Sequence, residues 1–161
     1  MRQFIFGVVI ILIIGLITAA FLPSYIDKTQ SKNAAKGVLD NLIKQDYDKA
    51  FRSVYFYDRA SDLEPVIPYE EAKKKWIKRV TDLTEKGTYL VDYKQLRVNL
   101  EDTYPEGTVD LVMMEDGEKK VKENVKLWFG LSGDEWKLGN LDYRYNEIEE
   151  KWESALSGNF N

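Results

Sequence analysis

The chain opens on a run with no polar period. Between Arg2 and Asp27 no side chain is charged, and Phe4 to Leu22 (FIFGVVIILIIGLITAAFL) holds Thr18 as its one polar member. A helix of that length rises about 29 Å, close to the roughly 30 Å hydrocarbon thickness of a bilayer. A helix buried in a soluble core is seldom apolar on every face over such a length. The pattern predicts a transmembrane anchor over residues 1–26, with the membrane met through Phe4–Leu22. DKTQS (27–31) then reads as a polar linker, with Ser31 as a helix N-cap. From Lys32 onward Ala35, Val38, Leu39, Leu42 and Ile43 recur at spacings of three and four, one face of an amphipathic helix. QDYDKAF (45–51) either bends that helix or starts a second. Beyond the turn-rich VYFYDRASDLEPVIP, Pro68 suits a first helical position. Tyr69 to Lys86 follows as a helix with Ala72, Trp76, Val80 and Leu83 turned inward.

After Gly87 the period changes from helical to alternating. TYLVDYKQLRVNL places Leu96, Val98 and Leu100 on one face, and YPEG (104–107) has the residues of a type I turn. TVDLVMM puts Val109, Leu111 and Met113 on one side, and Asp116-Gly117 is a tight-hairpin signal. KKVKENVKLWFGL then sets Val121, Val125, Leu127, Phe129 and Leu131 against Lys120, Lys122, Asn124 and Lys126. Gly133-Asp134 turns the chain into EWKLGNLDYR. Four strands joined by short turns make an antiparallel meander with one wet face. The predicted fold class is α+β: one N-terminal membrane helix, then helices covering the apolar face of a curved four-stranded antiparallel sheet. The domain spans 32–143. NEIEEKWESAL reads as a short acidic helix within a tail at 144–161, with Ile148, Trp152 and Leu156 in line.

Composition narrows the chemistry. The 161 residues include no cysteine and no histidine. Disulfides, thiolate zinc sites, thiol catalysis and a lipobox anchor are thereby excluded, and the commonest general base and metal ligand are missing. The net charge of −4 argues against nucleic acid, which needs a concentrated positive surface. No phosphate loop, zinc signature or EF-hand pattern occurs, so no cofactor or metal is expected. GLSGD (130–134) lacks nucleophile-elbow spacing.

Three readings compete for the N-terminal run. Thr18-Ala19-Ala20 has the small residues of a signal-peptidase site, so one alternative is a protein secreted after cleavage near Ala20. Apolar character continues through Leu22, Pro23, Tyr25 and Ile26, which favours an uncleaved single-pass anchor. The short tail then places the N-terminus in the cytoplasm and the domain outside. IIGLITAAFLPSY is also similar to the shaft of type IV pilins, but Phe6 stands where their glutamate falls.

Two local motifs carry a further likeness. LDNLIKQDYDKAF is similar to the Gly-Asp-Tyr-Glu-Lys-Ala-aromatic helix end of the nuclear transport factor two-like (cystatin-like cone fold) superfamily. Asp46, Tyr47, Lys49, Ala50 and Phe51 match, and Gln45 replaces the usual glycine. GDEWKLGNL resembles the closing strand's Gly-x-Trp-Lys-Ile pattern at Trp136, Lys137 and Leu138. The likeness covers residues 32–143 and leaves out the C-terminal tail. It implies a membrane-anchored, extracytoplasmic binding or assembly module of the cell envelope, working without catalysis. Its partner would be an envelope protein or further copies of itself. The alternatives are a small cofactor-free isomerase or hydrolase of the same fold and a pilin-like subunit.

The candidate ligand-binding residues are Tyr55, Tyr57, Tyr89, Asp92, Tyr93 and Trp128. The aromatics suit the mouth of a cone holding an aromatic or lipid-like ligand, and equally the half-buried packing of a small sheet domain. Asp92 interrupts the apolar YLVDY run, as a raised-pKa acid or base does. A β-bulge turning it to solvent accounts for it as well. No residue is assigned a catalytic role. KKKWIKR (73–79) pairs with Glu70 and Glu71 at i,i+4, the mark of a solvated helix face. Glu147, Glu149, Glu150 and Glu153 form either a docking surface or a solvated acidic face.

Overall fold

The computed structural model describes residues 2–58, 65–142 and 152–160, with residues 2–21 as helical backbone only. Helix α1 (Arg2–Ile43) is continuous, with Pro23 inside it. The polar stretch 27–31 expected as a linker is thus part of the helix, and Ser31 caps nothing. Its side chain is fully buried, and its hydroxyl donates to the Asp27 carbonyl one turn back (2.8 Å). A serine can satisfy itself this way inside a helix, which is why its cap-like identity misleads. The anchor expected at Phe4–Leu22 falls, all but Leu22, on residues described only as backbone. Among the described residues no helix is long and apolar enough to cross a membrane.

Of the expected apolar stripe of α1, Ala35, Val38, Leu39 and Leu42 are buried and Ile43 is half-buried. The helix ends at a left-handed Gln45 (φ +56°), a conformation that glycine adopts without steric cost. Asp46 then caps α2 (Tyr47–Phe51), its side chain accepting from the Lys49 N–H at 3.2 Å. The hydrogen bond from Lys49 is the main reason the Asp46 carboxyl stays below its ordinary value. Helix α3 (Tyr69–Glu85) buries Ala72, Trp76 and Val80. The Trp76 indole packs on Phe51, with ring centroids 5.6 Å apart.

Strands β1 (Tyr89–Glu101), β2 (Tyr104–Glu115), β3 (Glu118–Ser132) and β4 (Glu135–Leu141) form one antiparallel sheet in the order β1-β2-β3-β4. The meander is as expected, but its first turn is not. YPEG lies inside β2, and the chain reverses at Asp102-Thr103, both with positive φ. Pro105 is buried against the core. Asp116-Gly117 forms the second tight turn with the same left-handed pair, matching the twist of the flanking strands.

Val109, Leu111 and Met113 are buried as alternation requires, and so are Val125, Leu127 and Phe129. Val121 and Leu131 are exposed, contrary to expectation. The register shows why for Val121. Val109 pairs with Val125 but Leu111 pairs with Lys122, so a bulge around Asn124 (φ +53°) adds one residue to β3. One extra residue reverses the faces beyond it. Val121 therefore turns to the wet side, and Lys122 to the side where Glu115 accepts its ammonium at 2.9 Å. Leu131 keeps its register opposite the buried Trp136 and is exposed two residues before the turn at Gly133.

The space between sheet and helices is filled by Trp76, Phe51, Leu39, Leu111, Met113, Leu127 and Leu138, all fully buried. Burying each such side chain contributes about 1.5–3 kcal/mol. The tail belongs to this core. Helix α4 (Trp152–Leu156) buries Trp152 and Leu156, and the segment after it is stitched to both neighbours. The Gly158 N–H donates to the Gly139 carbonyl (2.7 Å) and the Tyr57 N–H to the Gly158 carbonyl (3.0 Å). Arg79 donates to the Ser157 and Asn159 carbonyls (2.8 and 2.7 Å) and lies 4.5 Å over the Phe160 ring. KKKWIKR is thus no uniformly solvated face: its last residue is a half-buried clamp.

Candidate functional site: the outer sheet face

Strand alternation gives the sheet two faces. Its odd-numbered residues in β2 pack toward α1, and Glu106, Thr108 and Asp110 look outward. Register places Trp128 opposite Glu106 on one side and Asn140 on the other, and Lys126 opposite Thr108. Trp128 keeps 41% of its surface in solvent. It borders a shallow groove of about 190 Å³ that Arg97, Asn99, Glu101, Glu106 and Lys126 also line. The groove carries both signs of charge beside one large aromatic ring.

Tyr55 and Tyr57 reach the same face through a short strand-like segment. The Tyr55 N–H donates to the Leu138 carbonyl at 2.8 Å, and Val54 is buried beneath. The Tyr55 ring lies on Gly130, where any Cβ would collide with it. A glycine in mid-strand commonly marks such an approach. Tyr55 and Tyr57 are neighbours at 6.0 Å between centroids, and the Tyr57 hydroxyl accepts from the Asn140 amide at 2.7 Å. Burial raises the Tyr55 phenol above its usual value, and nearby Tyr104 adds to it. Three of the six candidate residues therefore converge: Tyr55, Tyr57 and Trp128.

The other three do not join them. Tyr89 and Asp92 lie opposite Met114 and Val112 at the far end of β2, eight and six residues from Glu106, or roughly 20–27 Å along the strand. Asp92 is exposed at a bulge between Leu90 and itself, and it accepts from the Tyr93 N–H at 2.8 Å. Tyr93 points to the opposite face, where its hydroxyl donates to Asp40 of α1 at 2.7 Å. Burial first, and then Asp40, pushes that phenol up to about 12. Asp92 and Tyr93 are thus split between solvent and core, and the acid–tyrosine pair of an enclosed cone is not assembled. Of the acidic tail residues, Glu147, Glu149 and Glu150 lie outside the described residues, and Glu153 is half-buried in α4.

Sequence reading missed Arg97, Glu101, Glu106 and Lys126. Arg97 and Lys126 sit where alternation asks only for a polar residue, Glu101 and Glu106 fall at the expected turn, and only strand register brings the four together. Desolvation in the groove raises the Glu106 carboxyl, and a hydrogen bond and charge from Glu101 raise it further, while Lys126 pulls the other way.

No family model, curated protein or solved structure matches this chain. Among the described residues no cluster of acidic side chains could hold a metal ion. A second hollow of about 270 Å³, lined by Asn33, Arg52, Glu135 and Lys137, lies between α1 and the start of β4.

Proposed function

We propose that this chain is a membrane-anchored, extracytoplasmic binding or assembly module, a nuclear transport factor two-like domain held by its N-terminal helix. The observation that supports it best is the half-exposed Trp128 among Arg97, Glu101, Glu106 and Lys126 on the wet face of the sheet. Tryptophan and arginine are the residues over-represented at the energetic centres of protein interfaces. The groove is smaller than the about 300–1,000 Å³ of small-ligand sites, so its natural counterpart is a protein surface. The mixed charges set register and orientation, while the ring supplies apolar contact. The separation of Asp92 from Tyr93 disfavours the isomerase alternative. The two quoted motifs are what supports the family reading, and the apolar Phe4–Leu22 run supports the anchor.

A photoreactive amino acid at Lys126, compared with one at exposed Lys78 on α3, tests the reading in intact membranes. Position 126 should yield a discrete crosslinked protein that disappears when Trp128→Ala is added. Identical adducts from both positions would refute recognition through this face.

A further inference from the structure

We infer that the two hairpins Glu101–Tyr104 and Leu131–Glu135 rest in the headgroup layer of the membrane that holds α1, so that the domain sits directly on the lipid surface. This rests on the anchor reading above and deepens it. Along α1, Asp40 meets Tyr93 near the start of β1 and Lys28 meets Asn99 near its end (3.2 Å). Helix and strand therefore run in opposite directions, and the end of β1 points toward the apolar run. The same end of the sheet is fixed a second time, where the Trp136 indole donates to Asp27 at 2.9 Å.

Distances leave little room for water between domain and bilayer. From Leu22, the last residue of the apolar run, to Asp27 the helix rises about 8 Å. The headgroup region of one leaflet is itself roughly 5–8 Å thick. The strands continue past the level of Lys28, because Asn99 to Thr103 spans up to roughly 13 Å of extended chain. The helix between has no flexible break to lift the domain, since α1 is continuous. The exposed apolar side chains at this end fit an interfacial position: Tyr25 (69% exposed), Ile26, Tyr104 (65%) and Leu131 (50%). Tyrosine is enriched at headgroup level, where its ring is buried and its hydroxyl is wet. Tyr104 packs edge-on against Trp136 at 5.6 Å, so it is held there by the core. Glu101, Asp102, Asp134 and Glu135 surround these residues and are exposed, which favours a zwitterionic lipid surface over an anionic one.

The absence of cysteine makes the test direct. Single variants Thr103→Cys, Ser132→Cys and Glu118→Cys of the full chain carry a fluorophore in phosphatidylcholine vesicles containing headgroup spin-labelled lipid. Labels at 103 and 132 should be strongly quenched, and the label at 118, by the distal hairpin, should stay at its lipid-free level. A helical seven-residue insertion between Ser24 and Tyr25 keeps the helix face over about two turns. It lifts the hairpins by about 10 Å and should abolish the quenching. Chain retained after alkaline wash but unquenched at 103 and 132 would overturn the headgroup contact while leaving the anchor standing. Labels shielded from an aqueous quencher yet unquenched by lipid would overturn it in favour of a protein neighbour. Chain lost from the vesicles in the wash would overturn the anchor and the contact together.

Discussion

Single residues decide more of this fold than their chemical type announces. The Tyr93–Asp40 bond joins β1 to α1 across half-buried space, and the raised phenol gives it a pH signature. The folded chain holds this proton more tightly than the unfolded chain, whose tyrosines ionise near 10. Stability from this group is therefore complete below about pH 10 and is lost as pH rises toward about 12. Tyr93→Phe should cost about 1 kcal/mol at neutral pH and flatten that alkaline loss, measured as the difference between urea titrations of the two proteins. Arg79 makes a sharper case. Burial lowers its guanidinium to about 10, so it is still charged at neutral pH while it holds two tail carbonyls. Arg79→Met should destabilise by about 2–4 kcal/mol, because charged hydrogen bonds contribute about 1.5–3 kcal/mol each and the freed carbonyls stay buried. Arg79→Lys should recover little, since an ammonium cannot span two carbonyls as the planar fork does. The sequence displayed Arg79 only as the end of a lysine-rich run with helix-pairing glutamates. Its partners lie about eighty residues away, beyond any local pattern. Asp92 is the reverse case, since a break in an apolar alternation was visible and its bulge was one of the two readings open.

Elements were well indicated where the hydrophobic period ran undisturbed. The stripe of α1, the inward Ala72, Trp76 and Val80 of α3 with half-buried Leu83 after them, and the alternation of β2 follow directly from spacing, because burial selects one face. Prediction failed where one inserted residue changed the phase. Asp110 is central to this, for it secures bulges in both neighbouring strands. Its carboxylate accepts from the Gln95 amide at 2.8 Å and from the Asn124 N–H at 2.9 Å, and both of those residues have positive φ. Asp110→Ala should therefore cost about 1–3 kcal/mol, where an ordinary half-exposed strand residue would stay within about 0.5 kcal/mol. Equilibrium unfolding decides between the two. At the bulge itself, Asn124→Gly should be tolerated, and Asn124→Val should be clearly destabilising, because a β-branched residue resists the left-handed region. A stable Asn124→Val protein would mean that the bulge does not fix the β3 register. The outer groove shares this dependence, since Lys126 and Trp128 lie only two and four residues beyond Asn124.

At the scale of the molecule, the boundaries matter most, because sequence reading placed them by composition and the structure places them by contact. The polar character of 27–31 suggested a linker, and the acidic character of the tail suggested an appendage. Both are structural: Asp27 accepts from Trp136, Ser31 is fully buried, and residues 152–160 close the edge of β4. Three shortened chains separate these views by thermal unfolding. Residues 27–161 should unfold close to the temperature of the full domain, because the contacts described begin at Asp27. Residues 32–161 lose the Trp136 bond and the buried serine turn, and should be weaker by about 1–2 kcal/mol, a few degrees for a domain of this size. Residues 1–151 lose Trp152, Leu156 and the carbonyls that Arg79 holds. Removing two large buried side chains costs about 2–5 kcal/mol each, against a total of about 5–15 kcal/mol for a domain. That chain should populate unfolded or aggregated states at 37 °C. A cooperative transition for 1–151 at the full-length temperature would return the tail to the status of an appendage. The outer face makes the same comparison informative for function, because Tyr57 is bonded to Gly158 and Asn140. Loss of the tail should therefore loosen the aromatic group beside Trp128 even where the rest of the sheet survives.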